Sequence, residues 1–165
     1  MQNSKPYPTK KVIFTYGLIA PFIGSLIYIL MSFMANIGNL PNLSSLGLAI
    51  LQLIIIIGTL LSIIPAFITG FWIAKNKTYI RYKKDYAYLF AKGLISCCVF
   101  LILLAILFSI NDVMSGLPFE YLPERIYVNF LKEYQAMLIF AIIGGISAII
   151  CGKLFLPKLP KNFDK

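Results

Sequence analysis

Apolar positions in this chain fall in long unbroken blocks, not in the alternating or 3.6-residue patterns of half-buried strands and helices. No Asp, Glu, Lys or Arg occurs between Val12 and Ala74, and further uncharged windows run from Gly93 to Asn111 and from Tyr134 to Gly152. As a helix, each of these later windows is about 28 Å long, close to the roughly 30 Å hydrocarbon layer of a bilayer. The first block is divided by "NIGNLPNLSS" (36–45), rich in turn formers, and so reads as two spans. The pattern predicts an all-α membrane protein, a single integral membrane domain over 1–165. Its four transmembrane helices fall at about 12–35, 46–74, 91–111 and 134–156.

Small residues mark one face of three of these helices. Gly58, Ser62, Ala66 and Gly70 recur every fourth place in the second. Gly17, Pro21 and Ser25 do so in the first, with Ala20 and Gly24 alongside, and Gly144, Ala148 and Gly152 in the fourth, beside Ala141 and Gly145. Between lipid-bathed helices there is no hydrophobic drive, so association depends on the close approach that small residues permit. These positions are therefore read as helix packing. The third helix, with "VFLILLAILF", is bulkier and is expected to face lipid over much of its surface. Pro21 and Pro65 predict kinks, with Ser62 and Thr69 placed to bond freed backbone carbonyls.

Composition removes the soluble alternative: 59% of residues are hydrophobic and 13% charged, against about 45–50% and about 25% in ordinary globular chains. The +9 net charge is a topology signal. Thirteen of the 15 basic residues lie in the N-terminal tail, in 75–92 and from Lys153 onward, leaving Arg125 and Lys132 on the other side. The positive-inside rule then places both termini in the cytoplasm, which requires an even number of spans. The apolar stretch of the first helix is too long for a signal peptide and no A-x-A site closes it, so it is expected to stay uncleaved. The stretch "TYIRYKKDYAYLF" (78–90) is expected to lie at the headgroups of an anionic inner leaflet, without nucleic acid as a partner.

The outer loop, 112–133, is acidic. Pro123 and Glu124 suit the start of a short interfacial helix that feeds the fourth span. Phe119, Glu120, Tyr121, Glu124, Arg125, Tyr127 and Phe130 gather there the residue types that anchor interfaces, and form the candidate partner surface.

Chemistry is sparse. The chain has no histidine, no ionisable residue in mid-span and no C-x-x-C pair, and Gln52 is the most polar residue within a predicted span. Asp112 is the one outer aspartate, so an intramembrane aspartyl dyad has no second member. The outer carboxylates match no calcium loop. Asn42-Leu-Ser44 fits a glycosylation pattern that carries little weight alone. Cys97, Cys98 and Cys151 lie toward the cytoplasmic leaflet, where thiols stay reduced. No catalytic residue, metal site or cofactor is expected, and the chain reads as a non-enzyme.

The "IIPAFITGFW" segment (63–72), the four spans and the Lys-rich inner ends resemble small inner-membrane proteins of bacteria. Length and an N-in, C-in layout are also similar to the immunity proteins that protect bacteria from pore-forming toxins of the colicin A type. That resemblance covers the layout and no motif. It implies a multi-pass inner-membrane protein that binds a toxin within the bilayer or at its outer face. The expected function is protein binding by a membrane bundle, most sharply as an immunity-type protector. The alternatives are a small oligomeric channel or transporter, for which a homo-oligomer would supply the pore, and a scaffold or assembly subunit of a membrane complex.

Overall fold

A computed structural model describes residues 7–35, 45–80, 82–115 and 118–157. The turn read at 36–45, all but Ser45, lies outside the described residues, as do Lys5, Arg81, Lys158, Lys161 and Lys165. Four helices account for nearly all of the rest: α1 (Thr9–Ala35), α2 (Ser45–Lys75), α3 (Lys83–Met114) and α4 (Leu122–Phe155), with a 3-10 turn at Phe119–Tyr121. Each of the four is long and apolar enough to cross a membrane.

The helices run alternately up and down. α1 packs along α2 and α3 along α4; α1 against α4 and, most sparsely, α2 against α3 close the ring. Val12 near the start of α1 and Leu156 just after α4 share one buried cluster, so the chain enters and leaves the bundle at the same end. That end carries Lys10, Lys11, Lys75, Lys77, Lys83, Lys84 and Lys153 and is called the basic end below. Asp112, Glu120, Glu124 and Glu133 lie toward the far end, with Arg125 and Lys132.

Two boundaries differ from the sequence reading. α3 begins at Lys83, not near 91, because Asp85 caps it: its carboxylate accepts the Tyr82 backbone N–H at 2.7 Å. A carboxylate in the first turn also complements the helix dipole. The charged stretch 83–90 is thus the first two turns of a span and not a separate surface segment. Likewise the segment expected as a short interfacial helix inside loop 112–133 is continuous with α4. Pro123 starts the helix as anticipated, but no proline or glycine occurs between it and Gly144 to end it. At 34 residues α4 is about 51 Å long, against about 40 Å for the 27 residues of α1. Since α1 and α4 share the basic end, the α3–α4 hairpin overhangs α1 by about 10 Å at the far end.

The helices run unbroken through Pro21 and Pro65. The hydroxyls expected to bond carbonyls freed by proline instead bond the carbonyls four residues before themselves: Ser62 to Gly58 at 2.6 Å and Thr69 to Pro65 at 2.8 Å. α2 ends in a Schellman turn, with Thr78 N–H donating to Ile73 O and Lys77 N–H to Ala74 O. Lys77 occupies the left-handed position at φ 44°, where glycine is the usual residue.

The core is concentrated at the basic end: Val12, Tyr16, Ile73, Leu89, Cys151 and Leu156 are all buried. Glycines let the backbones come this close. A β-carbon on Gly70 would lie 3.2 Å from Ile13 Cα and 2.8 Å from Tyr16 Cβ, and one on Gly17 would meet the Phe67 ring at 2.5 Å. Gly152 lies against Leu89 and the Tyr16 hydroxyl, and Gly24 faces Ser147. The tightest α3–α4 approach joins Gly93 to Gly144, where a β-carbon on Gly93 would sit 2.6 Å from Gly144 O.

Candidate functional site

Beyond this tight core the bundle opens. A cleft of about 470 Å³ runs between α2 and α4 with α1 as its floor. Small residues read as packing positions line it: Pro21, Gly24, Gly58, Ser62, Ala66, Gly144 and Ala148. Gly17, Gly70 and Gly152 do not line it and stay within helix contacts. One stripe therefore has two uses. Near the basic end it admits a neighbouring helix; further along, the same small side chains leave a hollow.

No Asp, Glu, Lys or Arg among the described residues lines the cleft. Apart from that of Tyr28, its hydroxyls are taken up locally: Ser147 donates to Ile143 O at 2.7 Å, Ser62 to Gly58 O, Thr69 to Pro65 O, and Tyr16 to Ala148 O at 3.0 Å. Ser25 Oγ lies 3.1 Å from both Pro21 O and Thr59 Oγ1. Bonded in this way, the hydroxyls present mostly carbon to the cavity, and such a surface favours hydrocarbon over water.

A second feature was not legible as a site. Lys92, counted in the sequence among the charges of the basic end, is only 1% exposed. Its ammonium donates to Thr78 Oγ1 at 3.2 Å and lies 4.2 Å from the Tyr88 ring centroid and 5.9 Å from that of Trp72. Aromatic faces and one hydroxyl replace water around the charge. The long side chain starts inside the span and is held toward the end of α2, which ties α3 to α2 along their sparsest seam. Ser96, one turn further along α3, is buried with its hydroxyl unpartnered among the described residues.

At the same end Tyr7 donates to Thr78 O at 3.1 Å and meets Tyr79 edge-on. Burial, with Tyr79 beside it, pushes the Tyr7 phenol up to about 12.

The candidate partner residues gather at the far end. Phe119, Glu120 and Tyr121 form the 3-10 turn, while Glu124, Arg125, Tyr127 and Phe130 lie on the first turns of α4. Phe119 is 74% and Tyr127 64% exposed, and Tyr121, Glu124 and Arg125 border a shallow surface hollow with Val128. Below them Asn129 donates to Ser109 Oγ at 3.1 Å, a polar tie between α3 and α4 that sequence reading missed because Asn129 was placed in an interfacial helix outside the spans. Among the described residues no group of three His, Cys, Asp or Glu side chains is arranged to hold a metal ion.

No family model, curated protein or solved structure matches the chain.

Proposed function

We propose that the protein is a non-enzymatic, multi-pass bundle of the bacterial inner membrane that binds another protein, and that it acts as an immunity-type protector against a membrane-acting toxin. Both termini face the cytoplasm on this reading, and the far end faces outward. The observation that carries it is the overhanging α3–α4 hairpin. Its tip exposes Phe119, Tyr121 and Tyr127 beside Glu120 and Glu124, anchors and charge together on a rigid support. The filled basic end, where Tyr16, Ile73 and Leu89 are buried, supports binding over conduction through a single chain.

The test has two parts. Thiol labelling of Ser115→Cys in intact cells should succeed without permeabilisation; labelling only after permeabilisation would invert the topology. Cells expressing the protein should then survive a panel of purified pore-forming colicins, read as suppressed potassium efflux for at least one toxin. The double change Tyr121→Ala with Glu124→Ala should remove that protection at unchanged abundance. Efflux indifferent to expression for every toxin would reject the protector reading.

A further inference from the structure

We propose that the cleft is a binding site for one acyl chain of a membrane phospholipid, which enters sideways from the bilayer in the far half of the bundle. The argument rests on the four spans and the shape of the cleft, and is independent of the protein-partner reading. From Thr69 to Leu53 the α2 wall of the cleft covers 16 residue steps, about 24 Å of helix. The cleft is long, runs with the helices and opens sideways, a shape that suits an extended polymethylene chain lying between them.

Its chemistry agrees with its shape. Ile57, Leu61, Ile139 and Ile143 supply aliphatic walls, and the serine and threonine hydroxyls in the lining are bonded to backbone carbonyls as described above. No cationic side chain lines it, so a free fatty-acid carboxylate would be buried without a counter-charge. A phospholipid avoids that cost by leaving its headgroup outside. The way in is set by α3, which contributes Cys97 alone to the lining and so leaves the cleft uncovered beyond that level.

Two polar groups without described partners lie on the far side of the cleft, at different depths. Tyr28 lines the cleft toward the far end, half-exposed, and its hydroxyl has no partner among the described residues. Lys132 is exposed, forms no ion pair with a described residue, and precedes the lining residue Ala136 by one turn on the same face of α4.

The full chain, extracted in dodecyl maltoside and washed extensively, should retain about one phospholipid per protein by native mass spectrometry and phosphorus assay. Ser62→Leu and Ala136→Trp, which fill the cleft, should lower retention at least tenfold, while Leu60→Trp, outside the lining, leaves it unchanged. Lys132→Glu should lower it at least threefold. No bound phospholipid in the wild type, equal retention in the filled variants, or a retained mass that is only fatty acid or detergent would each overturn the proposal. So would a dimer that the fillings dissociate. If the filled variants lose their helix content, the wild type decides. A phosphatidylglycerol with a diazirine in its acyl chain, bound in maltoside, should label peptides bearing Ile57, Leu61 or Ile143. Labelling confined to the outward-facing Leu60 and Leu107 would contradict the site.

Discussion

The two halves of the bundle solve the same packing problem differently. Toward the basic end glycines admit backbones and large side chains to near contact, and Tyr16, Leu89 and Cys151 fill the axis. Toward the far end, the described residues are held in pairs. Ser25 with Thr59 ties α1 to α2, Asn129 with Ser109 ties α3 to α4, and a cleft separates the pairs. Small residues by themselves do not decide which result follows. What decides is whether a bulky side chain from the neighbouring helix reaches the space: Phe67 does at Gly17 and Tyr16 at Gly70, whereas at Gly58 the nearest foreign atom is Ser25 Oγ.

The sharpest way to break this contrast is by volume. Gly93→Val should be the most damaging change, costing roughly 3 kcal/mol or more, because its β-carbon meets the Gly144 carbonyl, which only a backbone shift can relieve. Gly70→Leu belongs to the same class. Gly58→Ala meets only the Ser25 hydroxyl, at 3.3 Å, and gains about 0.5–1 kcal/mol of helix preference, so its melting temperature in maltoside should be unchanged or higher. Equal losses for Gly93→Val and Gly58→Ala would erase the distinction between the halves.

A smaller effect is expected at Lys92. A double-mutant cycle of Lys92→Met and Tyr88→Leu should give a coupling of about 0.5–2 kcal/mol, read from unfolding in mixed micelles. Zero coupling would mean that the ammonium is not held by the ring. In the far half, Asn129→Ala should cost about 0.6 kcal/mol, the usual scale of an interhelical hydrogen bond in a membrane.

Alkali probes the basic end. The Tyr7 phenol is raised in the folded state, so its contribution is complete below the ordinary tyrosine value near 10 and is lost as pH rises toward about 12. Melting temperature should fall over that interval by less in Tyr7→Phe than in the wild type. Identical slopes would remove Tyr7 as a cause.

The spans and their small-residue faces were readable because a bilayer imposes length and uncharged composition, and because glycine and alanine at fourth places announce close approach. The extent of α3 and α4 was obscured because charges were taken as helix ends. Asp85 in fact caps α3 from within the charged stretch, and nothing between Pro123 and Gly144 interrupts α4. Gly93 stood at the edge of an uncharged window, and its pairing with Gly144 depends on an interhelix register that one helix's pattern does not contain. Lys92 was hidden for a related reason. Its charge fits a topology rule, while its burial depends on Trp72, Tyr88 and Thr78 from three separate stretches of chain.

The contrast between a closed and an open half is tested most directly by disulfide trapping in membranes, using a background with Cys97, Cys98 and Cys151 replaced by alanine. A disulfide requires α-carbons within about 7 Å. The pair Gly17→Cys with Phe67→Cys, at the tight α1–α2 approach and with the ring that would clash removed, should oxidise readily, whereas Ile57→Cys with Ile139→Cys, on the walls of the cleft, should join only through a longer bis-maleimide. Rapid direct oxidation of the cleft pair, at the rate of the first, would show a far half as closed as the basic end and would contradict the account.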